Sequence, residues 1–255
     1  MIRASMIGKL MGVAKSIDCN LVTNEIKSIQ SKTKAKRTLE EIKLIDDALW
    51  QTLPDGAKTV LDEMVSQNLL SWRNERDFFT LQKGIQCENE SIELYNEFKD
   101  EFYIKNVDRV TKNVITGVII DHDTGLIFDP RQPVLTGECD ILDLDKSLVI
   151  DIKTAYNKKS HPLNITASKL YEWQLRAYMY LYDVNHAELA YCLVDTPIEL
   201  RKKSDPDSWH EVADVPMHLR VRTFRIERCF IKERQMLERV ELSMRYFNEQ
   251  LELLG

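Results

Sequence analysis

A predicted β-hairpin constrains the fold of this chain more than any other feature of its sequence. Two short apolar runs, around Ile141 and from Leu148 to Ile152, flank a polar group from Asp143 to Ser147. Two apolar runs on either side of a short polar turn predict a hairpin. Successive side chains of a strand point to opposite faces, so alternate residues of the second run face the core, whereas Asp151 and Lys153 share the other face. The hairpin thus places a carboxylate and an ammonium group side by side.

The same hairpin brings a second carboxylate within reach. If the turn closes between Leu144 and Ser147, Asp140 lies opposite or diagonal to the second half of the partner strand, at a Cβ separation of roughly 5–8 Å. Two carboxylates at that distance hold one divalent cation through oxygen ligands. Such a cation polarises a phosphate and lowers the pKa of its bound water. A lysine beside it can orient that water, help to deprotonate it or balance the developing charge, so the set suits phosphodiester hydrolysis. An acidic hairpin on an ordinary sheet is the alternative, because Asp-x-Lys alone occurs by chance in many soluble proteins.

This order of acids resembles the signature of the PD-(D/E)XK nuclease superfamily, in which an acid on one strand precedes acid-x-Lys on the next. Asp140 matches the first acid, Asp151 the second and Lys153 the lysine. The match is degenerate, since Cys139 stands where the signature has proline. The resemblance implies an α/β fold of the restriction-endonuclease-like type, with a central mixed sheet flanked by helices.

A third acid precedes the hairpin, on a segment from Gly84 to Lys99 that predicts a helix. At helical spacing, one stripe of this segment holds Ile85, Glu88, Ile92 and Tyr95. A carboxylate on an apolar face is costly unless it is paired or binds a metal; a glutamate at the edge of the stripe that reaches water is the alternative. Phage lambda-type (RecB-like) exonucleases of the same superfamily carry Gly-x-x-x-Glu at the start of a helix before the core sheet, which Gly84 and Glu88 match. That resemblance implies that Glu88 ligates metal directly or through water.

A helix is predicted after the hairpin, from about Ser168 to Val184, with Ser168 as its N-cap. On it, Gln174 and Tyr178 lie one turn apart and face the same way. In isolation such a face is typical of core and boundary positions. The lambda-type and RecB-like nucleases carry a Gln and then a Tyr at this place. The resemblance therefore implies that Gln174 holds DNA near the scissile phosphate or supports Lys153, and that Tyr178 contacts DNA.

The N-terminal residues 2–11 predict a short helix with Ser5 as its N-cap. Free backbone N–H groups, a hydroxyl and Arg3 at a helix start form an anion site. Simple capping by Ser5 is the alternative. Lambda-type exonucleases begin with a similar Ala-Ser and apolar helix that receives the 5′-terminal phosphate, so the resemblance implies phosphate binding by Ser5 and Arg3.

Composition and cysteine usage bound the class of protein. The chain has 255 residues, 44% hydrophobic and 30% charged, as expected of a folded protein. Its five cysteines are scattered without a Cys-x-x-Cys pair, which favours a reducing compartment and argues against zinc or an iron–sulfur cluster. The sequence lacks an apolar run of about 18 residues and a signal-peptide core. We therefore expect a cytoplasmic protein, in the host cytoplasm if a phage encodes it, with no membrane partner.

The net charge of −6 is unfavourable for a nucleic-acid binder, but the charge is unevenly distributed. Residues 1–44 carry nine Lys and Arg against four acids, a net charge of +5. Within them, the basic segment from Ser31 to Arg37 is either a mobile arm that follows a nucleic-acid backbone or a solvated linker, and the linker is favoured.

We predict one nuclease domain over residues 1–255, with a helical part at 1–83, a catalytic core at 84–194, and a loop, strand and C-terminal helix at 195–255. Two helices of the first part are predicted at about 39–51 and 57–70, separated by a Pro-Asp-Gly turn. Apolar residues of the C-terminal helix recur at alternating three- and four-residue steps. This helix is predicted to pack on the sheet.

Together, the resemblance implies Mg²⁺- or Mn²⁺-dependent hydrolysis of DNA, with one or two ions held by Asp140, Asp151, the Ile152 carbonyl and Glu88. It also implies 5′→3′ exonuclease action on duplex ends in phage recombination, a ring-shaped homo-oligomer that encircles DNA, and a single-strand annealing protein as partner. A structure-specific or restriction-like endonuclease would use the same residues. A non-catalytic DNA-binding protein of the same fold is the alternative of another class, and an incomplete set of acids would mark it.

Overall fold

The computed structural model describes residues 1–72, 78–120, 129, 131–164 and 169–254. Within these ranges helices dominate the first hundred residues, and most strands follow. In chain order the elements are β1 (Ile2–Arg3), α1 (Ala4–Leu10), α2 (Asn24–Ser31), α3 (Leu39–Gln51), α4 (Asp55–Leu70), α5 (Phe78–Gln86), α6 (Glu88–Lys99), β2 (Val110–Asn113), β3 (Val134–Gly137), β4 (Ile141–Asp143), β5 (Leu148–Thr154), α7 (Lys169–Tyr182), β6 (His186–Cys192), α8 (Met217–Arg220), β7 (Val221–Glu227) and α9 (Phe230–Leu254). Among the helices so described, none is long and apolar enough to cross a membrane.

The predicted hairpin belongs to a four-stranded sheet with the order β4-β5-β6-β7. β4 and β5 are antiparallel, β5 and β6 parallel, and β6 and β7 antiparallel, so the sheet is mixed, as predicted. In the turn, the side chain of Asp143 accepts a hydrogen bond from the Lys146 backbone N–H at 2.9 Å, and Ser147 adopts a left-handed φ of 50°. These polar turn residues therefore close the hairpin where the sequence predicts it.

Helices cover both faces of this sheet. On one face, alternate residues of β5 (Leu148, Ile150 and Ile152) pack in a cluster with Ile92 and Tyr95 of α6. On the opposite face, Val149 of β5 and Leu189 of β6 join a larger cluster with residues of α1, α4, α7 and α9. Each fully buried Leu or Ile stabilises the fold by about 1.5–3 kcal/mol. The layers confirm the predicted α/β fold, with a mixed sheet between helices.

A second sheet contains the strands β1-β3-β2, with β1 parallel and β2 antiparallel to β3. Because β3 ends at Gly137 and β4 begins at Ile141, the chain passes from one sheet to the other through residues 138–140. A Cβ on Gly137 would lie 2.9 Å from side-chain atoms of Ala4, Tyr178 and Leu181. The glycine thus lets α1 and α7 approach the strand that leads to Asp140.

The predicted N-cap of the first helix is wrong. Helix α1 begins at Ala4, so the N-cap is Arg3 and Ser5 lies inside the first turn. The reason is the pairing of β1 with β3, which keeps Arg3 extended opposite Thr136 and lets the helix begin directly after it. Ser5 is exposed there.

The C-terminal helix packs differently from the prediction. Instead of lying on the sheet, α9 packs mainly against α4, α7 and α1, and it reaches the sheets at β3. Its buried residues are Met236, Arg239, Val240, Ser243, Met244 and Phe247. Leu254, the last residue of α9, is 67% exposed. Helix α7 contacts β5 and β6 as well as α9, so α9 packs behind α7 rather than directly on the four-stranded sheet.

Candidate functional site

The two hairpin carboxylates meet at the junction between the sheets. Ile141 pairs with Ile150, so one further step along the same antiparallel register places Asp140 opposite Asp151. The Oδ2 atom of Asp140 accepts a hydrogen bond of 2.5 Å from the backbone N–H of Ile152. The structure thus brings together the first two predicted site residues.

Asp151 is the buried centre of this arrangement, with 2% of its surface exposed. Its Oδ1 atom accepts a hydrogen bond of 3.2 Å from Gln174 Nε2. Its Oδ2 atom lies 2.6 Å from Lys153 Nζ, but it accepts no hydrogen bond of normal geometry from the described residues. A carboxylate oxygen has two lone pairs, so Oδ2 can accept a cation in addition to its contact with Lys153.

The pKa shifts at the site show that one ammonium group does not balance the negative charge of the two acids. Burial and the charge of Asp151, with a smaller effect from Glu88, raise the pKa of Asp140 to about 7, against the opposing effect of Lys153. Burial lowers the pKa of Lys153, but the charges of Asp151 and Asp140 raise it by more, so its pKa lies above the ordinary value. Two carboxylates therefore share one ammonium group in a poorly solvated place.

The donors at this junction fit a hard divalent cation. Carboxylate and carbonyl oxygens are the ligands that Mg²⁺ and Mn²⁺ prefer, and Asp140, Asp151 and the carbonyl of Ile152 provide such oxygens. The raised pKa of Asp140, beside an Asp151 carboxylate that already contacts Lys153, indicates that added positive charge would be stabilised here. In the described part of the chain, however, no three Cys, His, Asp or Glu side chains converge on one metal position. Two side chains, not three, therefore form the centre of the site.

Glu88 lies near this centre, at the start of α6 and on the same helix face as the buried Ile92 and Tyr95. The predicted helix is interrupted at Cys87, between α5 and α6, and Ile85 of the proposed stripe is 59% exposed. The side chain of Glu88 is 24% exposed, and its Oε2 atom lies 2.5 Å from Lys105 Nζ. The interruption removes Ile85 from the stripe and leaves Glu88 as the first residue of α6, where its side chain reaches solvent, as in the alternative that the sequence left open. Its role as a metal ligand stays a prediction.

Two neighbouring residues were missed by the sequence analysis. The backbone N–H of Asn106 donates to the Asp140 carbonyl at 2.7 Å, and its side-chain amide donates to the Cys139 carbonyl at 3.0 Å. Lys105, next to it, holds Glu88. Both residues lie in an extended segment between α6 and β2, which has no periodic pattern from which their positions could be predicted.

Gln174 and Tyr178 lie beneath Asp151, on the second and third turns of α7. Besides Asp151, the Nε2 atom of Gln174 donates to the Tyr178 hydroxyl at 3.0 Å. Gln174 is 6% exposed and Tyr178 5% exposed. The structure therefore places Gln174 as a support for Asp151 rather than Lys153. It places Tyr178 under the carboxylates rather than on a surface that DNA reaches, because Gly137 lets its ring pack against β3.

Arg3 and Ser5 are exposed, at the start of α1. Arg3 pairs with Thr136 of β3, four residues before Asp140. Both side chains are thus available to a ligand, at the edge of the second sheet rather than among the carboxylates. Phosphate binding by them stays a prediction.

Comparisons with known proteins agree with this geometry. A sequence model of the PD-(D/E)XK nuclease superfamily matches residues 29–225, and the chain belongs to that superfamily. Comparison with curated proteins gives no match. Among solved structures, a phage related exonuclease from Haemophilus somnus 129PT has a TM-score of 0.75 at 24% identity, with 100% of this chain and 96% of the other covered.

The alkaline exonuclease LHK-Exo from Laribacter hongkongensis is a more distant likeness. Its TM-score is 0.57 at 13% identity, and 100% of this chain and 91% of the other are covered. Its complex with dAMP gives a TM-score of 0.55 at 15% identity, covering 98% and 93% of the two chains. Likenesses at these identities show a shared fold.

Proposed function

We propose that this protein is a Mg²⁺- or Mn²⁺-dependent deoxyribonuclease that degrades duplex DNA from its ends in the 5′→3′ direction. The observation that carries the proposal is the buried Asp151 beside Asp140 and Lys153, where two carboxylates share one ammonium group. DNA as the substrate is supported by a likeness to a phage related exonuclease and to an alkaline exonuclease that was solved with dAMP.

Each residue has a distinct part in the proposed hydrolysis. When bound, one or two ions would supply Lewis acidity toward the phosphate and a water of lowered pKa. Asp140, Asp151 and the Ile152 carbonyl would hold them, with Glu88 at the rim. Gln174 keeps the Asp151 carboxylate in orientation through its 3.2 Å hydrogen bond.

Lys153 acts as a cation in this scheme. The charges of Asp151 and Asp140 raise the pKa of its amine and favour the protonated form in the metal-free protein; in that form it donates hydrogen bonds and balances negative charge. A fixed ammonium group beside the carboxylates is suited to orient the attacking water and to stabilise the charge that develops on the phosphate.

The proposed setting is phage-type recombination in the cytoplasm. In this setting we propose that the protein forms a ring-shaped homo-oligomer around DNA and has a single-strand annealing protein as its partner. A 5′-terminal phosphate would be received by Arg3 and Ser5, which are exposed at the start of α1.

The test is incubation of linear and closed circular duplex DNA with the protein and Mg²⁺. We expect the linear form to be degraded and Asp151→Ala and Lys153→Ala to lower the rate at least about a hundredfold. Asp145→Ala is the matched control, since Asp145 is an exposed residue of the same hairpin and its loss leaves the junction intact. Unchanged digestion by the first two variants would refute the site assignment.

Cleavage of the circular form would instead identify an endonuclease of the same fold. Binding of DNA without cleavage in either Mg²⁺ or Mn²⁺ would identify a non-catalytic DNA-binding protein.

A further inference from the structure

Lys83 is a fully buried lysine that the proposed chemistry does not use. It lies in the last turn of α5 and has 0% of its surface exposed. Its ammonium group donates three hydrogen bonds, to the Tyr156 carbonyl at 3.0 Å, the Val194 carbonyl at 2.8 Å and the Thr196 hydroxyl at 2.9 Å. Within the described residues it forms no ion pair with a carboxylate. All three donors of the amine are therefore used on neutral oxygens.

These acceptors follow the ends of two neighbouring parallel strands. Tyr156 lies two residues beyond β5, which carries Asp151 and Lys153. Val194 lies two residues beyond β6, the parallel partner of β5. The Thr196 hydroxyl in turn donates to the Tyr156 carbonyl at 2.7 Å. One side chain thus connects a helix to both strands just past the catalytic edge of the sheet.

Lys83 is the first of three polar contacts along one side of the α5–α6 pair. At helical spacings of four residues, Cys87 Sγ contacts the Asp195 carbonyl at 3.8 Å, and Ser91 Oγ lies 2.9 Å from Thr154 Oγ1 at the end of β5. Between the first and the last of these contacts the helix is interrupted and Glu88 begins α6. The position of Glu88 relative to β5 is therefore set by this row of contacts.

We propose that Lys83 is a positioning residue, whose ammonium group fixes the α5–α6 pair on the ends of β5 and β6 and so sets the place of Glu88 relative to Asp140 and Asp151. The inference rests on the proposed function of this site. A methionine of similar length would fill the same volume without the cost of burying an amine. Only the amine can donate three directed hydrogen bonds at the ends of the two strands. These bonds fix the position of the α5–α6 pair on the strands, which apolar packing alone would not fix.

The test is a double-mutant cycle between Lys83→Met and Glu88→Gln, read by Mn²⁺ binding in isothermal titration calorimetry and by the rate of DNA degradation. We expect Lys83→Met alone to weaken Mn²⁺ binding and to lower kcat by about tenfold each. In the Glu88→Gln background we expect the same substitution to cost less than about twofold, since Lys83 acts through Glu88. Equal losses in the two backgrounds would overturn the proposal. Because Mn²⁺ binding is measured without DNA, this outcome is separate from a failure of the nuclease assay.

Two further variants separate positioning from stability. Thr196→Val removes one acceptor of Lys83 while preserving the shape of the side chain. Like Lys83→Met, it should weaken Mn²⁺ binding. It also tests the proposal if Lys83→Met does not fold. Arg239→Met is the matched control. Arg239 is also fully buried and donates to two backbone carbonyls, at Thr52 and Gly12, but it lies on α9. We expect it to lower the melting temperature without changing the affinity for Mn²⁺. A loss of Mn²⁺ affinity that follows melting temperature across all three variants would show that Lys83 is only structural.

Discussion

Lys153 and Lys83 show how the neighbours of an amine decide its charge. Lys153 lies 2.6 Å from Asp151, and the carboxylates at the junction raise its pKa above the ordinary value despite burial. Lys83 has only neutral acceptors, so burial lowers its pKa from 10.5 to about 8, although more distant acids oppose the shift. The two acids thus favour the protonated form of the first amine. The second is near its titration point at mildly alkaline pH, so its state can be measured.

Lys83 should make the stability of the protein depend on pH. Below pH 8 the amine is charged in both the folded and the unfolded chain, and the cost of burying it is fully present. Between pH 8 and 10.5 the unfolded chain binds more protons than the folded chain, so the free energy of unfolding rises with pH, by up to about 3 kcal/mol from this group.

Urea unfolding of the unmodified protein and of Lys83→Met, at intervals from pH 7.5 to 10.5, measures this contribution. The difference in unfolding free energy between the two should increase with pH in favour of the unmodified protein. Lys34→Met, which replaces an exposed lysine, should give a constant difference. A constant difference for Lys83→Met as well would show that its amine does not titrate in this range.

At the scale of elements, local patterns predict what local residues determine. The hairpin was predictable because the alternation of apolar residues and the Asp143–Ser147 turn both lie within twenty residues. Helix α3 has the predicted bounds, Leu39–Gln51, because a capping box between Thr38 and Glu41 closes its start.

The features that the sequence did not predict depend on partners that are distant along the chain. The cap of α1 is set by the pairing of Arg3 with Thr136, and the place of α9 is set by α1 and α7. The three acceptors of Lys83 are 73 to 113 residues away along the chain. At the site, acid-x-Lys could be read from the sequence, whereas the hydrogen bonds from Asn106 and Gln174 required the fold.

The contact between α1 and α7 should be sensitive to one methyl group. A Cβ on Gly8 would lie 2.5 Å from the Cα and 2.6 Å from the carbonyl oxygen of Leu170, both backbone atoms that no rotamer change can move. Gly8→Ala should therefore lower the free energy of unfolding by about 1–3 kcal/mol. Gly56→Ala, at the second residue of α4, is the control, since a Cβ there meets nothing within 4 Å, and it should raise stability by less than about 0.5 kcal/mol. Chemical denaturation measures both; a gain in stability for Gly8→Ala would contradict the close helix contact.

At the scale of the whole molecule, the question is which of its positive charges meet DNA. The net charge is −6, so binding depends on particular basic residues. In the basic segment from Ser31 to Arg37, the guanidinium group of Arg37 donates to the carbonyls of Ile29, Gln30 and Lys32, and Lys32 pairs with Glu41. These contacts favour the linker interpretation over a free arm, because half of the segment's cations already hold α2 against α3. Arg3, exposed beside the strand that leads to Asp140, is the better candidate for a phosphate contact.

The salt dependence of DNA binding separates these two regions. Each phosphate contact releases counterions, so the slope of log K against log salt concentration should fall in magnitude by about 1 when a contacting cation is removed. We expect this change, with weaker binding, for Arg3→Ala on a duplex with a 5′-phosphate, measured in Ca²⁺ by fluorescence anisotropy from 50 to 300 mM salt, a range over which such binding falls steeply. Lys34→Ala removes an equal charge from the basic segment and should leave the slope unchanged. A reduced slope for Lys34→Ala with none for Arg3→Ala would transfer the DNA-binding role from the start of α1 to the segment between α2 and α3, because counterion release reports which cation lies against phosphate.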